Sequence, residues 1–449
     1  MKKESVTFVL FGGTGDLTTR KLVPAFAKLI REGKIKSDSR VIGVSRGNYN
    51  DNSYKSLLIS GVANKEEKGY IKKLKIKYLN ADFSKEDGLK GLQPLVSVCE
   101  PGHKCSRIYY LSTGFRFFPN IVKELKRYGL DDKSDGFTRV VFEKPFGKDL
   151  RSSNELDKEI HKVFYEKDVY RIDHYLGKET VQNINILKFT NPIFYSTFCN
   201  EFVESIEIIA DEKLGVGNRL GYYNWAGAVK DMIQSHLLQM LSLTLMERPR
   251  DLTPKSIQKE KVSILKRLEV LNSKFGKYKS YNKEIKKAGL KDMKTETFVQ
   301  AVLNCKTKRW NGVDLILRSG KKLDKKLGNI IINMKSTNNF GGLKGVKNNK
   351  IIIGIYPKQD VDIIMNSSSS ECSDCVSDVK FEFCKECKFG PNTSNEYAVL
   401  LGEIIKGDKT LFTSSEEVKE SWRIAENILK KKRKVIEYKD YSKSDNLIK

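Results

Sequence analysis

The chain has 449 residues, 39% of them hydrophobic, which suffices for substantial cores and two domains. No apolar run reaches the length of about 18 residues that a spanning helix needs, and Met1-Lys2-Lys3-Glu4 passes into a strand pattern too soon for a cleavable leader, so a cytoplasmic protein without membrane contact is expected. The formal charge of +26, from 82 Lys+Arg against 56 Asp+Glu, suits either a nucleic-acid binder or an enzyme of anionic ligands; the cations are dispersed along the whole chain, which favours the enzyme.

The first predicted strand, 6–11, runs into Gly12-Gly13-Thr14-Gly15-Asp16-Leu17-Thr18-Thr19 and then a helix over 20–31. A buried-type strand, a glycine turn and a helix N-terminus form the dinucleotide-binding arrangement, in which glycines let the backbone approach a pyrophosphate. The pattern is imperfect, because Thr18 stands where Gly or Ala is usual. The next strand, 40–45, ends at Ser45-Arg46, with no carboxylate for a ribose 2′-hydroxyl. Arg46 suits a 2′-phosphate instead, so the expected cofactor is NADP rather than NAD. Helices over 53–60 and 118–128 and strands over 107–111 and 138–142 continue the alternation to about residue 172, as a doubly wound parallel sheet requires.

Val169-Tyr170-Arg171-Ile172 is β-prone and leads into Asp173-His174-Tyr175-Leu176-Gly177-Lys178-Glu179. From Glu179 the apolar residues Val181, Ile184 and Leu187 recur at helical spacing. His174, Tyr175 and Lys178 therefore gather at a helix N-terminus, where free N–H groups and a lysine favour an anion; a capped surface helix with a solvated lysine reads the same in isolation. Farther on, Lys230-Asp231-Met232-Ile233-Gln234-Ser235-His236 opens a long apolar helix expected from Asp231 to about Met246. His236 shares a face with Met232, Met240 and Leu243, the usual setting of a packed core histidine. On an α-helix Asp231 lies about 140° around from it, flanking a ligand rather than bonding the ring. Two of the four histidines thus fall in two short ionisable runs. Strand patterns over 204–209, 297–304, 314–317, 329–334 and 350–355, with loops at 335–349 and 366–370, suggest a large, mostly antiparallel sheet.

Four of the eight cysteines form Cys372-x-x-Cys375 and Cys384-x-x-Cys387, the ligand count of a structural zinc site. The spacer Val379-Lys380-Phe381-Glu382-Phe383 alternates like a strand, which would hold the pairs about 30 Å apart. A tight turn at Ser377-Asp378 would bring them together, and free thiols in a reducing cytosol are the alternative. No step of the chemistry below needs a metal, and none is assigned.

Several separated motifs, in order, resemble the glucose-6-phosphate dehydrogenase family: Gly12–Leu17, Phe142-Glu143-Lys144-Pro145-Phe146-Gly147, the Arg171–Glu179 run, and Lys230-Asp231 through Met240. Trp310-Asn311-Gly312-Val313, Leu317-Arg318-Ser319-Gly320-Lys321 and Glu420-Ser421-Trp422-Arg423-Ile424 follow the same family pattern. The resemblance implies α/β plus α+β architecture: an N-terminal Rossmann-like domain, 1–172, for NADP, then a larger α+β domain, 173–449, for substrate and oligomerisation. It also implies NADP-dependent oxidation of D-glucose 6-phosphate to 6-phosphoglucono-1,5-lactone, the first step of the oxidative pentose phosphate pathway. The expected assembly is a homodimer or homotetramer, without specific nucleic acid.

Carried over residue by residue, the resemblance makes His236 the general base and Asp173 the carboxylate that orients it. His174, Tyr175 and Lys178 would hold the 6-phosphate. Glu212, Asp231, Lys321 and Lys326 would meet the sugar. Lys144 would bridge cofactor and substrate, before a proline open to the cis form, and Gly12, Gly13, Thr14, Gly15, Asp16, Leu17, Thr18, Thr19 and Arg46 would hold NADP. This chain departs from the family at Gly114-Phe115 and Phe118, where a Pro-Pro pair and a tyrosine are usual, at Lys326, which replaces an arginine fork with a point charge, and at Asp211-Glu212-Lys213-Leu214. It also ends soon after Tyr438, so a second, structural NADP site is expected to be absent or weakened. The alternatives are another two-domain sugar dehydrogenase, since Glu143-Lys144-Pro145 occurs in others, and a non-catalytic basic nucleic-acid binder that kept the fold.

Overall fold

Val6–Phe11 is apolar at nearly every position, the pattern of a strand covered on both faces. In the computed structural model it is β1, near the middle of a six-stranded sheet. The structure describes residues 5–447 apart from 98–105, 134–135, 292, 337–341, 371, 384–394 and 432–433. The chain divides into two compact units, Met1–Gly177 with Ser394–Lys419 and Lys178–Thr393 with Glu420–Lys449. The contiguous division at 172/173 does not foresee the return of 394–419 to the first unit.

In the first unit, β1 is joined by β2 (Arg40–Ser45), β3 (Lys75–Asn80), β4 (Ser106–Leu111), β5 (Thr138–Phe142) and β6 (Val169–Arg171), in the order β3-β2-β1-β4-β5-β6. All five pairings are parallel, so this is the doubly wound dinucleotide-binding order, with its switch point at the carboxyl ends of β1 and β4. β3 sits at the sheet edge, with Ile76 and Tyr78 turned inward and Lys75 and Lys77 exposed. The returning helix, Glu396–Lys406, buries Tyr397, Leu400, Leu401 and Ile404 in the same core as Leu22, Phe26 and Leu29. That apolar stripe cannot stay in water and holds the segment here.

The second unit carries a nine-stranded sheet of β7 (Val203–Asp211), β8 (Leu268–Tyr278), β9 (Phe298–Cys305), β10 (Asp314–Gly320), β11 (Leu327–Met334), β12 (Lys350–Tyr356), β13 (Val361–Ser368), β14 (Val376–Phe383) and β15 (Val435–Tyr438). Its order is β14-β13-β12-β11-β7-β10-β9-β8-β15. Only β7–β10 and β8–β15 pair in parallel, so the sheet is mostly antiparallel, as expected. One sequence expectation changes here. Asn366 to Ser368 belong to β13 rather than a loop, because they pair with Val376 to Asp378 of β14. The same pairing bears out the strand-like alternation of 379–383 and leaves no turn at Ser377-Asp378 to bring the cysteine pairs together: β14 runs unbroken to Phe383. Cys372 and Cys375 form a disulfide, while Cys384 and Cys387 lie outside the described residues.

The helix expected from Asp231 is also wound differently. Val229–Leu237 is a π-helix, followed by an α-helix over Leu238–Leu245. With hydrogen bonds from i to i+5, five residues close roughly one turn, so Asp231 and His236 lie nearer one face than the 140° of an α-helix.

Candidate active site

In the first unit, β1 delivers the chain to a turn that only glycine can make. Gly12 has φ +81°, and a Cβ there would meet the Ser112 carbonyl oxygen at 2.6 Å. A Cβ on Gly13 would meet the Gly43 Cα at 2.8 Å, so β1 and β2 close tightly at their carboxyl ends. The Tyr54 hydroxyl donates to the Gly13 carbonyl at 3.0 Å, and Gly15 N–H donates to the Gly12 carbonyl at 2.9 Å. Thr18, the irregular position of the motif, is fully buried; its hydroxyl reaches the Gly12 carbonyl and the Ser112 hydroxyl, each at 3.4 Å. A small side chain able to satisfy its own oxygen therefore fits where glycine is usual. The bare backbone at Gly12, Gly13 and Gly15 is the cradle a dinucleotide pyrophosphate needs, so these residues fit NADP. Asp16, Leu17 and Thr19 continue into the helix; Asp16 pairs with Arg20 at 2.6 Å on the surface. The Thr14 and Ser45 hydroxyls lie 3.1 Å apart, and Ser45 meets the Tyr78 hydroxyl at 2.8 Å. Arg46, next in line, is exposed and lies beyond the end of β2.

The Lys144–Pro145 peptide, just beyond β5, is cis. Glu143 beside it accepts a hydrogen bond from the Tyr110 hydroxyl at 2.5 Å and another from Tyr397. Burial pushes its carboxyl up to about 7, although both tyrosines and Lys144 pull it down. Asp173 is 3% exposed and its Oδ1 accepts the Tyr175 N–H at 2.9 Å, while the rings of His174 and Tyr175 lie 5.0 Å apart. At Gly177 a Cβ would stand 3.0 Å from the Glu396 carbonyl oxygen, so the returning segment packs tightly on the glycine of the Asp-His-Tyr-Leu-Gly-Lys run. Phe118, where the family pattern has a tyrosine, is wholly buried against Phe142, with ring centroids 5.1 Å apart, and is a core residue.

In the second unit, Lys178 stands at the N-cap position of the helix Glu179–Thr190. Its ammonium and that of Lys326 flank one ring, Tyr356, at 5.9 and 5.3 Å from the centroid, so the fold brings two cations of distant sequence together. Lys321, 3% exposed, pairs with Glu212 and lies 4.0 Å from Asp231. Asp231 also lies 3.6 Å from Arg219 and accepts from the Tyr222 hydroxyl at 3.4 Å. Glu212, Asp231 and Lys321 thus form one polar cluster at the ends of β7 and β10, a set of donors and acceptors suited to sugar hydroxyls. His236 is 1% exposed within the π-wound segment. Sequence reading missed Tyr110 and Tyr397 in the first unit and Arg219 and Tyr222 in the second. Tyr397 carries no local signal, since its role comes from a segment that returns over 200 positions after Glu143.

Comparison with known proteins agrees with this geometry. Residues 9–183 match the model of the glucose-6-phosphate dehydrogenase NAD binding domain, and residues 185–446 match that of the glucose-6-phosphate dehydrogenase C-terminal domain. The chain is 32% identical over 450 residues to a glucose-6-phosphate 1-dehydrogenase of Bacillus subtilis, covering 95% of this chain and 91% of that protein. It is 33% identical over 453 residues to one of Borreliella burgdorferi, with 96% and 93% covered. A glucose-6-phosphate dehydrogenase solved in complex with its substrate glucose-6-phosphate superposes with a TM-score of 0.89 at 25% identity, covering 99% of this chain and 96% of the other. Both units thus match the models of one family along nearly their whole length, and the chain belongs to the glucose-6-phosphate dehydrogenase family.

Proposed function

We propose that this protein oxidises D-glucose 6-phosphate at C1 to 6-phosphoglucono-1,5-lactone, the entry to the oxidative pentose phosphate pathway. NADP, when bound, supplies the acceptor for the hydride that leaves C1. The observation that carries this reading is the superposition of nearly the whole chain on an enzyme solved with glucose 6-phosphate. His236 takes the proton of the C1 hydroxyl, and Asp173 orients the imidazole and stabilises its cation. Lys178, His174 and Tyr175 hold the 6-phosphate, with Lys326 a further cation beside Lys178. Glu212, Asp231 and Lys321 fix the sugar hydroxyls, so that C1 faces the cofactor. Gly12 through Thr19 receive the pyrophosphate, Arg46 the 2′-phosphate, and Lys144 bridges cofactor and sugar.

In this reading residues 1–172 supply the dinucleotide side, and residues 173–449 supply the sugar side and the contacts of a cytoplasmic homodimer or homotetramer. The test follows absorbance of the reduced nicotinamide with glucose 6-phosphate or glucose, and with NADP or NAD. Turnover should require the phosphorylated sugar and prefer NADP; equal rates with free glucose would favour another sugar dehydrogenase.

A further inference from the structure

The roles just assigned use Lys144 and Asp173 but leave Glu143, on which both charges act, without one. Glu143 immediately follows β5 and lies largely buried in the first unit. Tyr110, near the end of β4, donates to it at 2.5 Å, and Tyr397, in the first turn of the returning helix, bonds the same group. Burial pushes both phenols up, so each stays protonated and remains a donor throughout the working pH range. The charged groups facing Glu143 are Lys144 from its own loop and Asp173 from beyond β6; Glu396 acts on Tyr397 and pairs with Lys21 at 3.3 Å. A carboxylate here attracts the Lys144 ammonium and, by repulsion, makes Asp173 a stronger hydrogen-bond acceptor. Both effects depend on the distance and orientation of one group, and two fixed phenol donors supply that orientation.

We propose that Glu143 is a positioning residue of the reaction, oriented by Tyr110 and Tyr397 so that its negative charge steadies Lys144 and strengthens Asp173, and that Tyr397 thereby makes the returning segment part of the catalytic apparatus. The proposal rests on the roles given above to Lys144 and Asp173. Since burial pushes the Glu143 carboxyl up to about 7, the charge is present above that pH and is lost as pH falls through it. Glu143→Gln imitates the protonated form at every pH.

The test compares kcat of the wild-type enzyme and Glu143→Gln from pH 6 to 9 with glucose 6-phosphate and NADP. At high pH the wild type should be faster by about tenfold, the rate equivalent of one charged hydrogen bond, and the ratio should shrink towards unity at pH 6. KM for both ligands should change less than kcat does, because Glu143 reaches the ligands only through Lys144. Tyr397→Phe should lower kcat in the wild type and leave it unchanged in the Glu143→Gln background, since it acts only through Glu143. A ratio that does not vary with pH, or an equal loss from Tyr397→Phe in both backgrounds, overturns the proposal. Should Glu143→Gln fail to fold by circular dichroism, Tyr397→Phe alone decides: losing a donor must move the acid limb of the kcat profile upward, and an unmoved limb overturns it. Absence of wild-type turnover with glucose 6-phosphate would instead sink the functional reading itself, and this proposal with it.

Discussion

His236 follows Asp231 by one turn of a π-wound segment, and both side chains are buried at 3% exposure or less. Such a bulge adds a residue to a helical turn and re-aims the side chains after it, and it occurs often at functional sites. Its sequence reads as an ordinary apolar helix, so the residues were legible and their mutual angle was not. His236→Asn should lower kcat by about 10²- to 10⁴-fold with substrate affinity largely retained, measured by steady-state kinetics and by substrate binding; substantial residual turnover would remove the assigned base. Lys178→Ala deletes one of the two cations proposed to meet the 6-phosphate. KM for glucose 6-phosphate should rise by about ten- to a hundredfold with kcat less affected, and an equal loss with unphosphorylated glucose would contradict the role. Gly12 and Gly13 were readable because a tight turn leaves little choice of residue there. Glu143 was visible inside a motif, but its two phenol partners were not, since they stand 33 positions before and 254 after it.

At the scale of elements, the helix Leu238–Leu245 that continues the His236 segment is closed by two side chains from elsewhere. Lys188, 1% exposed, donates to the carbonyls of Thr244 and Met246 at 2.8 and 2.6 Å, and Trp310 Nε1 donates to Leu245 at 2.7 Å. Three consecutive orphan carbonyls are thus satisfied inside the core. Burial lowers the Lys188 ammonium to about 7; Arg309 pushes the same way, and Glu247 opposes it. Above that value the folded chain holds fewer protons than the unfolded one until the ordinary lysine range is reached. Stability should therefore rise with pH between about 7 and 10, by an amount on the order of 1 kcal/mol or more, read as the urea midpoint. Lys188→Met should flatten that rise and cost about 1–3 kcal/mol by stranding the carbonyls; a slope unchanged in the variant would refute the assignment. Strands that alternate or run apolar were legible at this scale. The polar end of β13 was not, because Asn366 to Ser368 are extended only through their partners on β14.

For the whole molecule, the charge of +26 is a long-range property that pairwise contacts do not cancel. It should draw in anions of every kind, so KM for glucose 6-phosphate is expected to increase as salt is raised from about 0.02 to 0.3 M, in a range where screening shortens to a few ångströms. Retention on DNA should vanish over the same range, and base-specific binding at physiological salt would revive the nucleic-acid reading. The amino-acid sequence by itself determined the glycine turn, the alternation of strands and helices up to residue 172, and the identity of the ionisable runs. These features depend on backbone freedom and on the spacing of neighbours within one or two turns, which a linear pattern records. Only the tertiary structure decided that 394–419 joins the first unit, that Lys178 and Lys326 share one tyrosine, and that Glu143 is gripped from two distant strands of sequence. Contacts of that kind arise when apolar faces are buried together, and the partner each face finds is set by competition across the whole chain rather than by any local spacing.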